Sequence, residues 1–173
     1  MTLAVFYAFN QLPAKIIVLF MKRLAKAFLI FTSLAYTVFL FYVYAYFADQ
    51  PKIYLDFLEL SLSFTNNTLF YTGIAVPLTV VVLCFIFSNA VKKQSVGQAH
   101  YFKTERAQLA LSSWSLSFAG AFNLFSAAVL SIILFANNEE GITKSGFAPF
   151  LIIGAGLLIT WIIWLPIIFL RNK

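Results

Sequence analysis

Four stretches of this chain are long, apolar and free of Asp, Glu, Lys, Arg and His: residues 27–47, 69–90, 109–136 and 147–170. A helix that crosses a bilayer needs about 20 consecutive, mostly apolar residues. Each stretch reaches that length, and the third has enough to tilt or to project from the hydrocarbon. The chain is 62% hydrophobic and 10% charged, where soluble domains average about 45–50% and about 25%. A soluble core of 173 residues could not bury that much apolar surface, and lipid as the solvent removes the need.

The charges between these stretches are sorted by side. One set of ends and loops carries Lys15, Lys22, Arg23, Lys26, Lys92, Lys93, Lys103, Arg106, Arg171 and Lys173. The other carries only Lys52 and Lys144, with the acids Asp49, Asp56, Glu59, Glu139 and Glu140. Short cytoplasmic loops are enriched in Lys and Arg. The bias therefore predicts both termini in the cytoplasm. It also accounts for the net charge of +6 without a nucleic-acid surface. Tyr42, Tyr44 and Tyr46 fall at one predicted interface and Trp114, Trp161 and Trp164 toward the other. Amphipathic rings prefer these depths.

Two further segments are expected to lie on the membrane surface. Residues 1–26 are apolar but interrupted by Asn10, Gln11, Pro13 and Lys15, and a buried lysine is costly in hydrocarbon. They are expected to form an N-terminal interfacial helix on the inner leaflet. The first residues lack a basic stretch, so no cleaved signal peptide is expected. In residues 51–65, Lys52, Asp56, Glu59, Ser63 and Asn66 recur at spacings of 4, 3, 4 and 3. Ile53, Phe57, Leu60 and Phe64 take the other side, which predicts a short outer amphipathic helix after Pro51. Leu58 to Phe64 also alternates as a strand would, but the polar stripe is longer.

The third stretch has a distinct face. Ser112, Ser115, Ala119, Asn123 and Ser126 recur at helical spacing, widened by Ser113, Ser117, Gly120, Ala127 and Ser131. Opposite them stand Trp114, Phe118, Phe122, Phe125, Val129 and Ile132. Small residues let backbones approach in lipid, and Asn and Ser can hydrogen-bond across the contact. Three roles fit such a face: packing inside one bundle, the seam of a homo-oligomer, or the lining of a pore formed by an oligomer. A hydrated path usually carries an ionisable group at depth, and Asn123 is the strongest polar group here. Gly73 with Pro77, and Gly154 and Gly156 with Pro166, mark close packing and kinks, or a hinge.

Loop 91–108 holds Lys92, Lys93, Lys103 and Arg106, which would meet anionic lipid at the inner leaflet or a cytoplasmic protein partner. His100, the single histidine, reads as a solvated loop residue. Asn66-Asn67-Thr68 is a glycosylation sequon.

The residues needed for common chemistries are missing from the sequence. One histidine cannot hold a haem on both faces, and the lone Cys84 can form neither a Cys-x-x-Cys pair nor an internal disulfide. No cluster of His, Asp or Glu suits a metal, and Ala99-His100 with Glu105-Arg106 only faintly echoes the four-helix glutathione-using membrane enzymes. No catalytic residue, cofactor or metal is therefore expected.

In size, span count and charge bias the chain resembles small four-span bacterial inner-membrane proteins. These include immunity proteins against pore-forming bacteriocins and membrane components of anti-phage defence. The resemblance covers the whole chain and rests on architecture, so it implies a role by analogy and assigns no residue. The expectation is one all-α membrane domain over residues 1–173, a four-transmembrane-helix bundle, N-in/C-in, in the cell inner (plasma) membrane. It would act by helix–helix and loop contacts as a sensor, scaffold or blocker, as a homo-oligomer. The alternatives are an oligomeric channel or transport subunit, and an adaptor that recruits a partner through residues 91–108.

Overall fold

The computed structural model describes residues 14–50, 52–57, 60–94, 104–137 and 148–171. Among these the architecture is four helices and one two-stranded hairpin: α1 (Ala14–Tyr46), β1 (Ile53–Phe57), β2 (Leu60–Phe64), α2 (Asn66–Lys93), α3 (Glu105–Ala136) and α4 (Ala148–Arg171). Residues 1–13 of the expected interfacial helix, 95–103 with His100 and Lys103, and 138–147 lie outside the described set.

Three helices are long and apolar enough to cross a membrane: α1 from Phe20, α2 and α3. The fourth, α4, has 24 residues and is also apolar. Threonines cap two of the helices. Thr65 accepts from the Thr68 amide at the start of α2, and Thr104 accepts from the Ala107 amide at the start of α3. Each supplies an acceptor to one of the orphan amides of a first turn.

The expected break between an interfacial helix and the first span is absent over the described residues. α1 runs without interruption from Ala14 through Lys22, Arg23 and Lys26 to Tyr46. Its 33 residues contain neither Gly nor Pro, so nothing in the sequence stops the helix at position 26. At about 1.5 Å per residue it is about 50 Å long, more than a bilayer core.

The expected outer amphipathic helix over 51–65 is instead the β1–β2 hairpin. The register pairs Ile53 with Phe64, Leu55 with Leu62 and Phe57 with Leu60. It also pairs Tyr54 with Ser63 and Asp56 with Ser61. Apolar residues thus meet apolar ones, and the two serines meet Tyr54 and Asp56. A helix would have carried Ser61 onto the apolar side, opposite the polar stripe, whereas period two places it beside its own kind. Ile and the aromatic residues here also favour strands. Ile53 is fully buried while Tyr54 is exposed, as alternation requires.

α3 is the centre of the assembly: α1, α2 and α4 each pack on it, and α1 and α2 touch one another only lightly. One core gathers at the hairpin end, where Tyr36, Leu40 and Val43 of α1 and Phe47 just after it meet Ile53, Leu69, Leu130 and Ile133. A smaller one at the opposite, loop end joins Val91, Ala107 and Leu111, with Trp114 and Leu165 packed against it. Large exposed apolar side chains instead cover the outer helices: Ile30, Phe31, Leu34 and Val38 on α1, Leu78, Leu83 and Ile86 on α2, and Ile152, Ile153, Ile162 and Ile163 on α4. Such a continuous apolar exterior is far larger than water tolerates on a monomer.

Candidate functional site

The polar groups of α3 form a ladder of contacts with its three neighbours. At the loop end, Gln108 Nε2 donates to the carbonyls of Val91 and Gln94, each at 2.7 Å. A helix leaves its last carbonyls without intrahelical donors, and this buried amide serves the end of α2. One turn further, the hydroxyls of Ser112 and Ser88 share a hydrogen bond of 2.7 Å. Ser115 Oγ then donates to the Cys84 carbonyl at 2.9 Å. Near mid-helix, Asn123 Nδ2 donates to Ser33 Oγ on α1 at 2.8 Å.

Ser112, Ser115, Ala119 and Asn123 are all buried within the chain, between α1 and α2. Ser126 is half-buried and bonds back to the Phe122 carbonyl within its own helix. The bulky face opposite is covered as well. Trp114, Phe118, Phe122, Phe125, Val129 and Ile132 are all half-buried.

Glycine sets the closest approaches. A Cβ on Gly120 would lie 2.6 Å from Phe28 Cδ1 and 3.1 Å from Thr32 Oγ1 on α1. Gly73 is similarly pressed by Leu40, whereas Gly156 has open space around it. Pro77, one turn after Gly73, has no N–H to offer the Gly73 carbonyl. Tyr36 takes that place, donating its hydroxyl to this oxygen at 2.7 Å.

α4 is tied to α3 by two indoles. Trp114 Nε1 donates to the Trp161 carbonyl at 2.8 Å, and Trp161 Nε1 donates to Ser117 Oγ at 2.9 Å. Trp161 also stacks on Phe28 of α1. Beside these rings an apolar groove of about 620 Å³ opens between α1 and α4, lined by Met21, Leu24, Phe28, Trp114, Trp161 and Trp164. A second groove, of about 360 Å³, lies between α2 and α3 below the hairpin.

The hairpin is latched to α3 by Asn137. Its Oδ1 accepts from the Tyr54 amide at 2.8 Å, and its Nδ2 donates to the Tyr54 carbonyl at 2.7 Å and to Ile133. The sequon residue Asn66 sits in the first turn of α2 and donates Nδ2 to the Tyr44 carbonyl at 3.0 Å. Its amide nitrogen is engaged and half-buried, unlike the exposed loop position that glycosylation uses.

Among the loop-end cations, Lys93 and Arg106 are exposed, and Lys92 is half-buried beyond the apolar stretch 69–90. Burial, then the charges of Lys22 and Lys26, hold the Lys92 ammonium below the usual lysine range. The charges of Lys22 and Lys26 act on Lys92, a grouping that sequence spacing did not single out. Gln108, Tyr36, Ser33 and Asn137 were not legible as site residues either, since each acts on a partner 14 to 90 positions away. Among the described residues there is no group of three or more His, Cys, Asp or Glu able to hold a metal. No known protein family, curated protein or solved structure matches the chain.

Proposed function

We propose that this chain is a multi-pass protein of the bacterial inner membrane that acts by contact rather than by chemistry. Its four helices cross the bilayer with both termini in the cytoplasm, and the hairpin rests on the outer surface. The observation that carries this is the placement of polarity. The outer helices expose Ile, Leu, Val and Phe, while the serines and asparagine of α3 are engaged inside the chain. Hydrocarbon demands that arrangement, because an unpaired polar group there costs several kcal/mol. The ten-to-two distribution of Lys and Arg supports the orientation.

Within the bilayer such a protein senses, scaffolds or blocks. The concrete form proposed is a membrane component of anti-phage defence or an immunity protein against a pore-forming bacteriocin. A pore lined by the small face of α3 has less support, since that face is occupied by α1 and α2. The test is flux through proteoliposomes together with plating of host cells under phage or bacteriocin challenge. Contact function predicts survival that depends on the protein and no conductance. A conductance that changes in Asn123→Leu would overturn it.

A further inference from the structure

We propose that the groove between α1 and α4 holds an acyl chain of an anionic phospholipid, whose headgroup rests on Arg106 and on the end of α4 at Arg171. The site depends on the membrane-spanning bundle proposed above and gives that bundle a ligand class.

α1 and α4 both pack on α3 and scarcely on one another. Ala110 and Ser117, two turns apart on α3, are small and keep the floor between them low. Phe28 of α1 stacks on Trp161 of α4 with ring centroids 6.3 Å apart, bridging the two walls. The resulting groove of about 620 Å³ falls within the range of about 300–1,000 Å³ typical of small-molecule sites.

Most of the lining asks for no hydrogen bond. The indoles of Trp114 and Trp161 already donate to the Trp161 carbonyl and to Ser117 Oγ. Ser117 and Thr160 donate to the carbonyls of Trp114 and Gly156. Such walls suit an alkyl chain, whereas a polar ligand would lose its hydrogen bonds to water without replacement. Trp164 differs. It is half-exposed, and among the described residues nothing accepts from its indole N–H. Tryptophan favours the headgroup level, where ester and phosphate oxygens can accept.

Charge stands at the loop end of this groove. Arg106, Ala110, Trp114 and Ser117 follow spacings of 4, 4 and 3 along α3, and Thr160, Trp164, Ile168 and Arg171 repeat them along α4. Each helix thus carries one arginine on its lining face, just beyond the apolar lining. Arg106 is exposed, and its neighbour Glu105 takes another face of α3. A guanidinium matches a phosphate in charge and in donor geometry. An apolar groove with cations at one end has the outline of an anionic lipid, tail and head. A second copy of the chain would bring no anion to those arginines from its apolar spans.

All three tryptophans of the chain line the groove, so a brominated acyl chain seated there must quench their fluorescence. The full chain, purified in an uncharged detergent, is titrated with phosphatidylglycerol or phosphatidylcholine brominated on the acyl chains. Phosphatidylglycerol should quench in a saturable phase, and phosphatidylcholine should need about tenfold more. Arg106→Gln/Arg171→Gln should erase that preference; an unchanged preference would overturn the headgroup assignment. Ala110→Phe, which fills the floor, should remove the saturable phase and leave only quenching by surrounding lipid. Should that variant not unfold cooperatively, Thr160→Phe, from an exposed position on the other wall, must do the same. A saturable phase that survives the filling would overturn the site, as would equal, unsaturable quenching of the parent by both lipids. A dimer by light scattering, with tryptophans shielded from both lipids, would give the groove to a second copy and overturn the lipid. Membrane spanning is read separately by washing membranes with alkaline carbonate. Release of the protein would sink the bundle proposed above, while failure of the titration alone would sink only the groove.

Discussion

Tyr36 donates its hydroxyl to the carbonyl oxygen of Gly73, the atom that Pro77 leaves without a helical donor. A residue of α1 thus repairs the backbone of α2 at the point where proline interrupts it. In lipid no water can substitute, so the repair defines how the two helices sit.

This gives the first prediction. Tyr36→Phe keeps the ring and orphans the carbonyl, which should cost about 1–3 kcal/mol. Pro77→Ala restores the amide donor, so in the double variant Tyr36→Phe/Pro77→Ala most of the loss should return. Thermal unfolding in detergent measures both. If Tyr36→Phe unfolds with the parent, the hydroxyl has no such role.

Glycines separate in the same assay. Gly120→Ala drives a methyl into Phe28 and should destabilise by about 1–3 kcal/mol. Gly156→Ala meets nothing and should stay within about 0.5 kcal/mol of the parent. Similar losses at both positions would mean that α1 does not approach α3 as described.

The hairpin should come loose without the bundle. Asn137→Ala removes both contacts to Tyr54, so amide exchange over 53–64 should quicken while exchange in α3 stays slow. Slow exchange in the hairpin of the variant would show that strand pairing and Ile53 burial suffice.

Lys92 makes stability rise in alkali. Its folded pKa lies below the usual lysine range, through burial and then Lys22 and Lys26. The charged form is therefore penalised only in the folded state. That penalty is present at neutral pH and fades as pH climbs from the folded value to the ordinary one, so stability increases across that window. In uncharged detergent, Lys92→Gln should flatten the rise and lift the Tm at neutral pH. A steeper alkaline rise in the variant would reverse the sign.

Much of this was legible because lipid is a demanding solvent. Apolar runs free of charge announce helices: α2 and α3 enclose the stretches expected over 69–90 and 109–136, and α4 covers 148–170 of the stretch expected over 147–170. Ser112, Ser115, Ala119 and Asn123 stood out because small and polar residues recurred at helical spacing, and the structure brings them together against α1 and α2. The hairpin was passed over for a helix because the polar spacings of 4 and 3 span a longer run than the alternation from Leu58 to Phe64. The central position of α3 was not legible either. Its phenylalanines stood out only as a bulky face opposite the small one, and in the structure Phe118, Phe122 and Phe125 are half-buried. Which apolar face meets protein and which meets lipid is decided by neighbours, since both solvents are equally apolar.

The central claim is that the small face of α3 is spent within its own chain. Ser88 and Ser112 test it most directly, because their hydroxyl oxygens lie 2.7 Å apart and both side chains are fully buried. In a Cys84→Ala background, Ser88→Cys/Ser112→Cys should oxidise in native membranes to an intrachain disulfide that runs as a monomer without reductant. A disulfide-linked dimer in its place would contradict the claim and make this face a seam between subunits.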